Sequence, residues 1–143
     1  MDYTWLIFAL LSAFTAALVA IFGKIGLQKI DVNTATAIRA VIMASFLIVV
    51  ILVEGKLSQI SSIVSNTNAM FYIILSGIAG ALSWLFYFLA LKLGKASQVA
   101  PIDRLSVVFV IILAILFLGE KLSLKTGIGA SLVAVGAISI ALG

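Results

Sequence analysis

Apolar residues in this chain are gathered into five long runs, and nearly every charge falls in the gaps between them. The runs cover about residues 4–22, 34–53, 69–91, 99–118 and 124–142. A helix rises about 1.5 Å per residue, so ~20 residues cross a hydrocarbon core roughly 30 Å thick. Backbone amides in lipid must find partners within their own segment, which leaves helix as the conformation for such runs. A helix on the surface of a soluble domain would carry a polar face, and these runs have almost none. The pattern predicts an all-α integral membrane protein in which five transmembrane helices form one domain over residues 1–143.

The gaps carry turn and cap chemistry. Gly23 and Gly26 stand where the first helix is expected to end, and Asn33 where the second is expected to be capped. In the longest gap, 54–68, Leu57, Ile60 and Val64 recur at helical spacing among serines, which predicts a short helix in the membrane interface. The gap 119–123 is short enough to make the last two spans antiparallel neighbours. The first run follows Met1-Asp2 in place of a basic segment, and is expected to remain as a span of the mature protein.

Composition narrows the function. Hydrophobic residues make up 64% of the 143 and charged residues 10%, against ~25% charged in an ordinary soluble domain. The net charge of +4 sits mostly at span ends, which points to topology and anionic headgroups and away from nucleic acid. With no Cys and no His, disulfides, thiol chemistry and the common zinc sites are removed, and no metal or cofactor is expected. Acid–base candidates shrink to Asp103 and Glu120, which argues against an enzyme. Lys24, Lys29, Arg39, Lys92, Lys95 and Arg104 lie on the side of the first and third loops, against Lys56, Lys121 and Lys125 on the other. That bias predicts cytoplasmic first and third loops, and it is weak enough for insertion both ways round.

Charges inside the spans carry the functional signal. Arg39 lies six residues past Asn33, about 9 Å into the second span, and Asp103 and Arg104 enter the fourth span to similar depth from the same face. Trp84 and Tyr87, three residues apart near the end of the third span, reach the same layer beside Ser83. A charge in lipid costs at least ~2.5 kcal/mol on insertion scales, so such groups face a partner or a watery cavity. One reading pairs Arg39 with Asp103 as a structural lock while Arg104 snorkels to headgroups. The other makes Arg39, Ser83, Trp84, Tyr87, Asp103 and Arg104 the lining of a polar cavity for an organic substrate. Pro101 either occupies a first helical turn, where its missing N–H costs nothing, or bends the fourth span and frees carbonyls. Small residues Ala130, Ala134, Ala137 and Ala141, with Gly129 alongside, form a stripe on the fifth span, suited to a dimer contact or to packing within one bundle.

The stretch Ala96-Ser97-Gln98-Val99-Ala100-Pro101-Ile102-Asp103-Arg104-Leu105-Ser106-Val107 and the segment Leu116-Phe117-Leu118-Gly119-Glu120-Lys121 carry a family resemblance. With Thr36–Arg39, Leu82–Leu91 and the glycine–alanine pattern of the last span, the chain resembles the EamA family of the drug/metabolite transporter superfamily, in its small five-span form. The resemblance implies a carrier of a small organic molecule, most often an exporter, resident in the cell membrane as a multi-pass protein. The smallest relatives use a glutamate in the first span. Here that span holds only Thr4, Ser12 and Thr15 as polar residues, so that route to proton coupling lacks its carboxylate. Larger relatives join two five-span repeats. Because five is odd, an antiparallel homodimer of this chain would rebuild such an inverted repeat and put a second charged layer in the opposite leaflet. The expected partners are the lipid bilayer, a small-molecule substrate and a second copy. The alternative is a non-transporting accessory subunit or assembly partner that uses only the small-residue stripe.

Overall fold

A computed structural model describes residues 3–143, so the Met1-Asp2 lead-in to the first span lies outside the described residues. Seven helices follow in order: α1 (Thr4–Gly26), α2 (Val32–Val53), α3 (Ser58–Ser65), α4 (Thr67–Leu93), α5 (Ala96–Asp103), α6 (Ser106–Leu118) and α7 (Leu124–Leu142). No strand occurs among the described residues. Among the described residues five stretches are long and apolar enough to cross a membrane, α5 and α6 together forming the fourth. Along them large apolar side chains stand exposed, Phe46 at 67% for example, as lipid-facing residues must. The chain divides into two compact units, one of Met1–Ile25 with Ala90–Gly143, the other of Gly26–Leu89.

In the first unit α1 does not stop where its apolar run does. It continues through Gly23 to Gly26, which puts Lys24 on its last turn. The Lys24 ammonium donates to the carbonyls of Leu91 and Gly94, the latter at 2.7 Å. Leu91 O is among the carbonyls that the end of α4 leaves unpaired and Gly94 O lies just past that end, and a cation there also suits the negative end of the helix dipole. A second tie joins the start of α5 to the end of α7, where Gln98 Nε2 donates to Ala141 O at 3.2 Å. α5 packs along α7, and α6 packs against α7 across the hairpin. Gly119 closes α6 at φ +66°, a left-handed cap that a side chain would strain, and Ser123 opens α7 by accepting the Thr126 N–H.

The fourth span is broken. Pro101 lies inside α5, past its first turn, and its missing N–H leaves Ser97 O without the usual donor. The next bonds tighten to three-residue spacing: Arg104 N–H donates to Pro101 O at 3.1 Å, and Leu105 N–H to Ile102 O at 2.9 Å. Helix resumes at Ser106.

In the second unit α2 starts one cap earlier than the sequence reading has it. The Asp31 carboxylate accepts the Thr34 N–H and Oγ1–H, both at 2.8 Å, and Asn33 is already helical. An aspartate offers an acceptor-only side chain to the positive end of the helix, and its position two residues earlier frees Asn33 for another use. α2 ends in a Schellman turn. Lys56 N–H bonds Ile51 O at 2.9 Å, Gly55 N–H bonds Leu52 O at 3.1 Å, and Gly55 sits at φ +68°. The expected short helix follows as α3, with Ile60, Ile63 and Val64 on one exposed face. Asn66 Oδ1 then caps α4 through Ala69 N–H.

Lys24→Met keeps most of the side-chain volume but leaves the carbonyls of Leu91 in α4 and of Gly94 just past it without their charged donor. Bonds to charged groups contribute about 1.5–3 kcal/mol, so the variant should unfold measurably earlier in detergent melts. Lys24→Arg should recover part of that loss.

Candidate substrate cavity between the second and third spans

α2 carries Arg39 half-buried in the second unit, and α4 brings Trp84, Tyr87 and Phe88 to it. The four-residue step from Trp84 to Phe88 places both rings on one helix face, stacked at 5.5 Å and 28°. The Arg39 guanidinium carbon lies 3.6 Å from the Trp84 ring centre and 4.7 Å from that of Phe88. Tyr87 meets Trp84 edge-on at 6.1 Å and Phe88 at 5.8 Å. Cation–π contacts contribute about 0.5–1 kcal/mol when exposed and ~2 or more when desolvated. The stack therefore offsets part of the cost of holding Arg39 within a span.

Beside this stack a cavity of about 430 Å³ opens between α2 and α4, inside the range of small-molecule sites. Asn33, Thr36 and Arg39 supply its polar side, and Met43, Ala81 and Leu85 its apolar side, with Trp84 between. The α2 members fall at positions 33, 36, 37, 39, 40 and 43, one side of a helix. Thr36 Oγ1 donates to Val32 O at 2.7 Å, which leaves its lone pairs toward other donors.

Of the sequence-predicted residues, Arg39 and Trp84 line this cavity, Tyr87 buttresses the rings, and Ser83 is exposed on α4. The sequence reading lets Trp84 stack on a substrate, yet its face is taken by Arg39, so the two act as one element. Asp103 and Arg104 belong to the other unit, at the break between α5 and α6, Asp103 half-buried and Arg104 exposed. Phe88, 2% exposed, was missed as a site residue; its spacing from Trp84 was the available signal. Asn33 and Met43 were missed as lining, and their positions on the Arg39 face of α2 would have found them.

On α7, Ala130, Ala134 and Ala141 are half-buried and Ala137 buried, whereas Gly129 and Gly136 are exposed, with nothing within 4 Å of an added Cβ. The alanine stripe is thus the packed side of this helix within the protomer. Ala137→Leu should cost about 1–3 kcal/mol by overpacking, and Gly136→Leu almost nothing in the isolated protomer. Paired unfolding curves would check the contrast.

Five helical stretches long and apolar enough to cross a membrane among the described residues, with an arginine inside one of them, make this a polytopic membrane protein. Residues 3–142 match the EamA-like transporter family, and the chain belongs to that family. It is 43% identical over 141 residues, 99% of each chain, to an uncharacterized transporter in the cobO 3′ region of a Sinorhizobium species. It is also 31% identical over 101 residues, 71% of each chain, to an uncharacterized protein of Methanocaldococcus jannaschii. No solved structure gives a significant match. The protein is a multi-pass membrane transporter.

Proposed function

We propose that the protein is a secondary transporter of the cell membrane that exports a small organic molecule by alternating access, working as a homodimer. The observation that carries this reading is the cavity of about 430 Å³ at Arg39 and Trp84, within two membrane spans. A charge held at that depth by an aromatic stack is costly scaffolding unless something is bound or moved there. One protomer has five spans. Two copies in opposite orientation would supply the inverted repeat on which alternating access commonly rests. In the working dimer Arg39 and Trp84 contact the substrate. Ser83, Tyr87 and Arg104 tune the surrounding layer, and Asp103 at the broken fourth span responds to the driving cation or proton.

Protein reconstituted into liposomes and loaded with a metabolite extract should exchange a subset of it in counterflow. Wild-type protein that moves nothing and co-purifies with one fixed partner protein would replace this reading with an accessory subunit. Topology gives an independent check. Tags on the C-terminus should report both sides of the membrane, and two lysines added to the 119–123 loop should skew that ratio and lower transport. A single orientation of the native chain would remove the antiparallel dimer.

A further inference from the structure

Resting on the cavity's reading as the substrate site, we infer that its ligand is an amphipathic organic anion, with one carboxylate-like head and a compact apolar body. Arg39 is the one charged group among the described residues that line the cavity. No carboxylate stands on that lining to receive a cationic ligand, so the local field favours a negative charge.

The stack sets how Arg39 meets it. A guanidinium is planar, and at 3.6 Å its carbon lies at contact distance over the Trp84 ring. At that separation an edge-on guanidinium would drive a nitrogen into the ring, so the ring must take its face. The N–H donors point outward in the plane of the group and stay available. Among the described residues of this unit, no protein acceptor takes a hydrogen bond from them. An accessible fork of N–H groups, its plane held by the stack, is the arrangement that matches a carboxylate through two parallel bonds. Asn33 adds amide donors on the same helix face.

The remaining wall determines the body. Ala37, Ala40, Met43, Ala81 and Leu85 offer no hydrogen bonds, so a polar or multiply charged body would lose hydration without replacement. The small side chains leave room, and methionine adapts to irregular aliphatic or ring shapes. Such an anion can come from water or from the bilayer as a fatty acid. The limited volume favours a short, water-soluble one.

The test uses full-length protein in nonionic detergent with Trp5→Phe, so that Trp84 is the only tryptophan reporting. Hexanoate should change Trp84 emission saturably, whereas hexanamide and hexylammonium should bind at least about tenfold more weakly. Arg39→Lys, which keeps the charge but loses the fork, should weaken hexanoate about tenfold, and Ala40→Leu should block it by filling the cavity. Equal binding of hexylammonium or hexanamide overturns the inference, as does unchanged hexanoate binding in Ala40→Leu should the Arg39 variant fail to fold. Palmitate in nanodiscs competing as well as hexanoate would place the anion's source in the bilayer, and failure to compete would place it in water; both sustain the anion class. Hexanoate binding without counterflow sustains this inference and removes the transport reading. Counterflow of an amine without anion binding does the reverse.

Discussion

Phe88→Ala should destabilise the protein more than any other single truncation at the aromatic stack. Phe88 is 2% exposed, rests against Trp84 and Tyr87, and backs the Arg39 guanidinium at 4.7 Å. Phe→Ala in water-soluble cores costs about 3–5 kcal/mol. In a bilayer the transfer contribution shrinks because lipid is as apolar as the core, but the lost packing contacts remain. A loss of about 2–3 kcal/mol is expected, read as a lowered midpoint in denaturing-detergent titrations. Trp84→Ala, at a half-buried position, should cost less stability. Equal losses at the two positions would mean that Phe88 is not the keystone of the stack.

The five spans were legible because lipid imposes one demand on every residue of a span, and a run of apolar side chains records it locally. Helix ends were less legible. α1 and α4 continue past their apolar runs into Lys24 and Lys92, and nothing local shows that Lys24 will reach the carbonyls at the far end of α4. The cap on α2 went to Asp31 over Asn33, a choice between two competent residues two positions apart. Pro101 marked the fourth span for irregularity, but the restart at Ser106 depends on how the backbone recovers its bonds. The charged layer shows the same division. Arg39, Trp84 and Tyr87 were legible as costly or anchoring residues, each on its own. That Arg39 lies on the ring of Trp84, 45 residues away in sequence, is a tertiary fact with no local pattern. On α7, Ala137 is buried and Ala130, Ala134 and Ala141 half-buried, whereas Gly129 is exposed. Which of them turn inward follows from the packing of α5 along α7, a pairing the spacing alone did not specify.

Arg39→Ala should abolish transport while leaving the protein folded, and it is the change with the largest functional effect. The alanine removes the only charge among the described residues that line the cavity and the cation that lies over Trp84. The stability lost is that of a partly desolvated cation–π contact, about 1–2 kcal/mol. It is offset by no longer holding a charge within a span. Melting in detergent should therefore shift little, while counterflow falls at least tenfold. Trp84 emission should also change, because its ring exchanges a cation for solvent or lipid. Asp103 tests whether Arg39 acts through a structural ion pair instead. If the two form a structural pair, Arg39→Gln combined with Asp103→Asn should recover folding and flux better than either change alone. If both serve transport, the double variant should fold and remain inactive. Wild-type flux in Arg39→Ala, or in the double variant, would remove the charged layer from the mechanism and leave the cavity without a function.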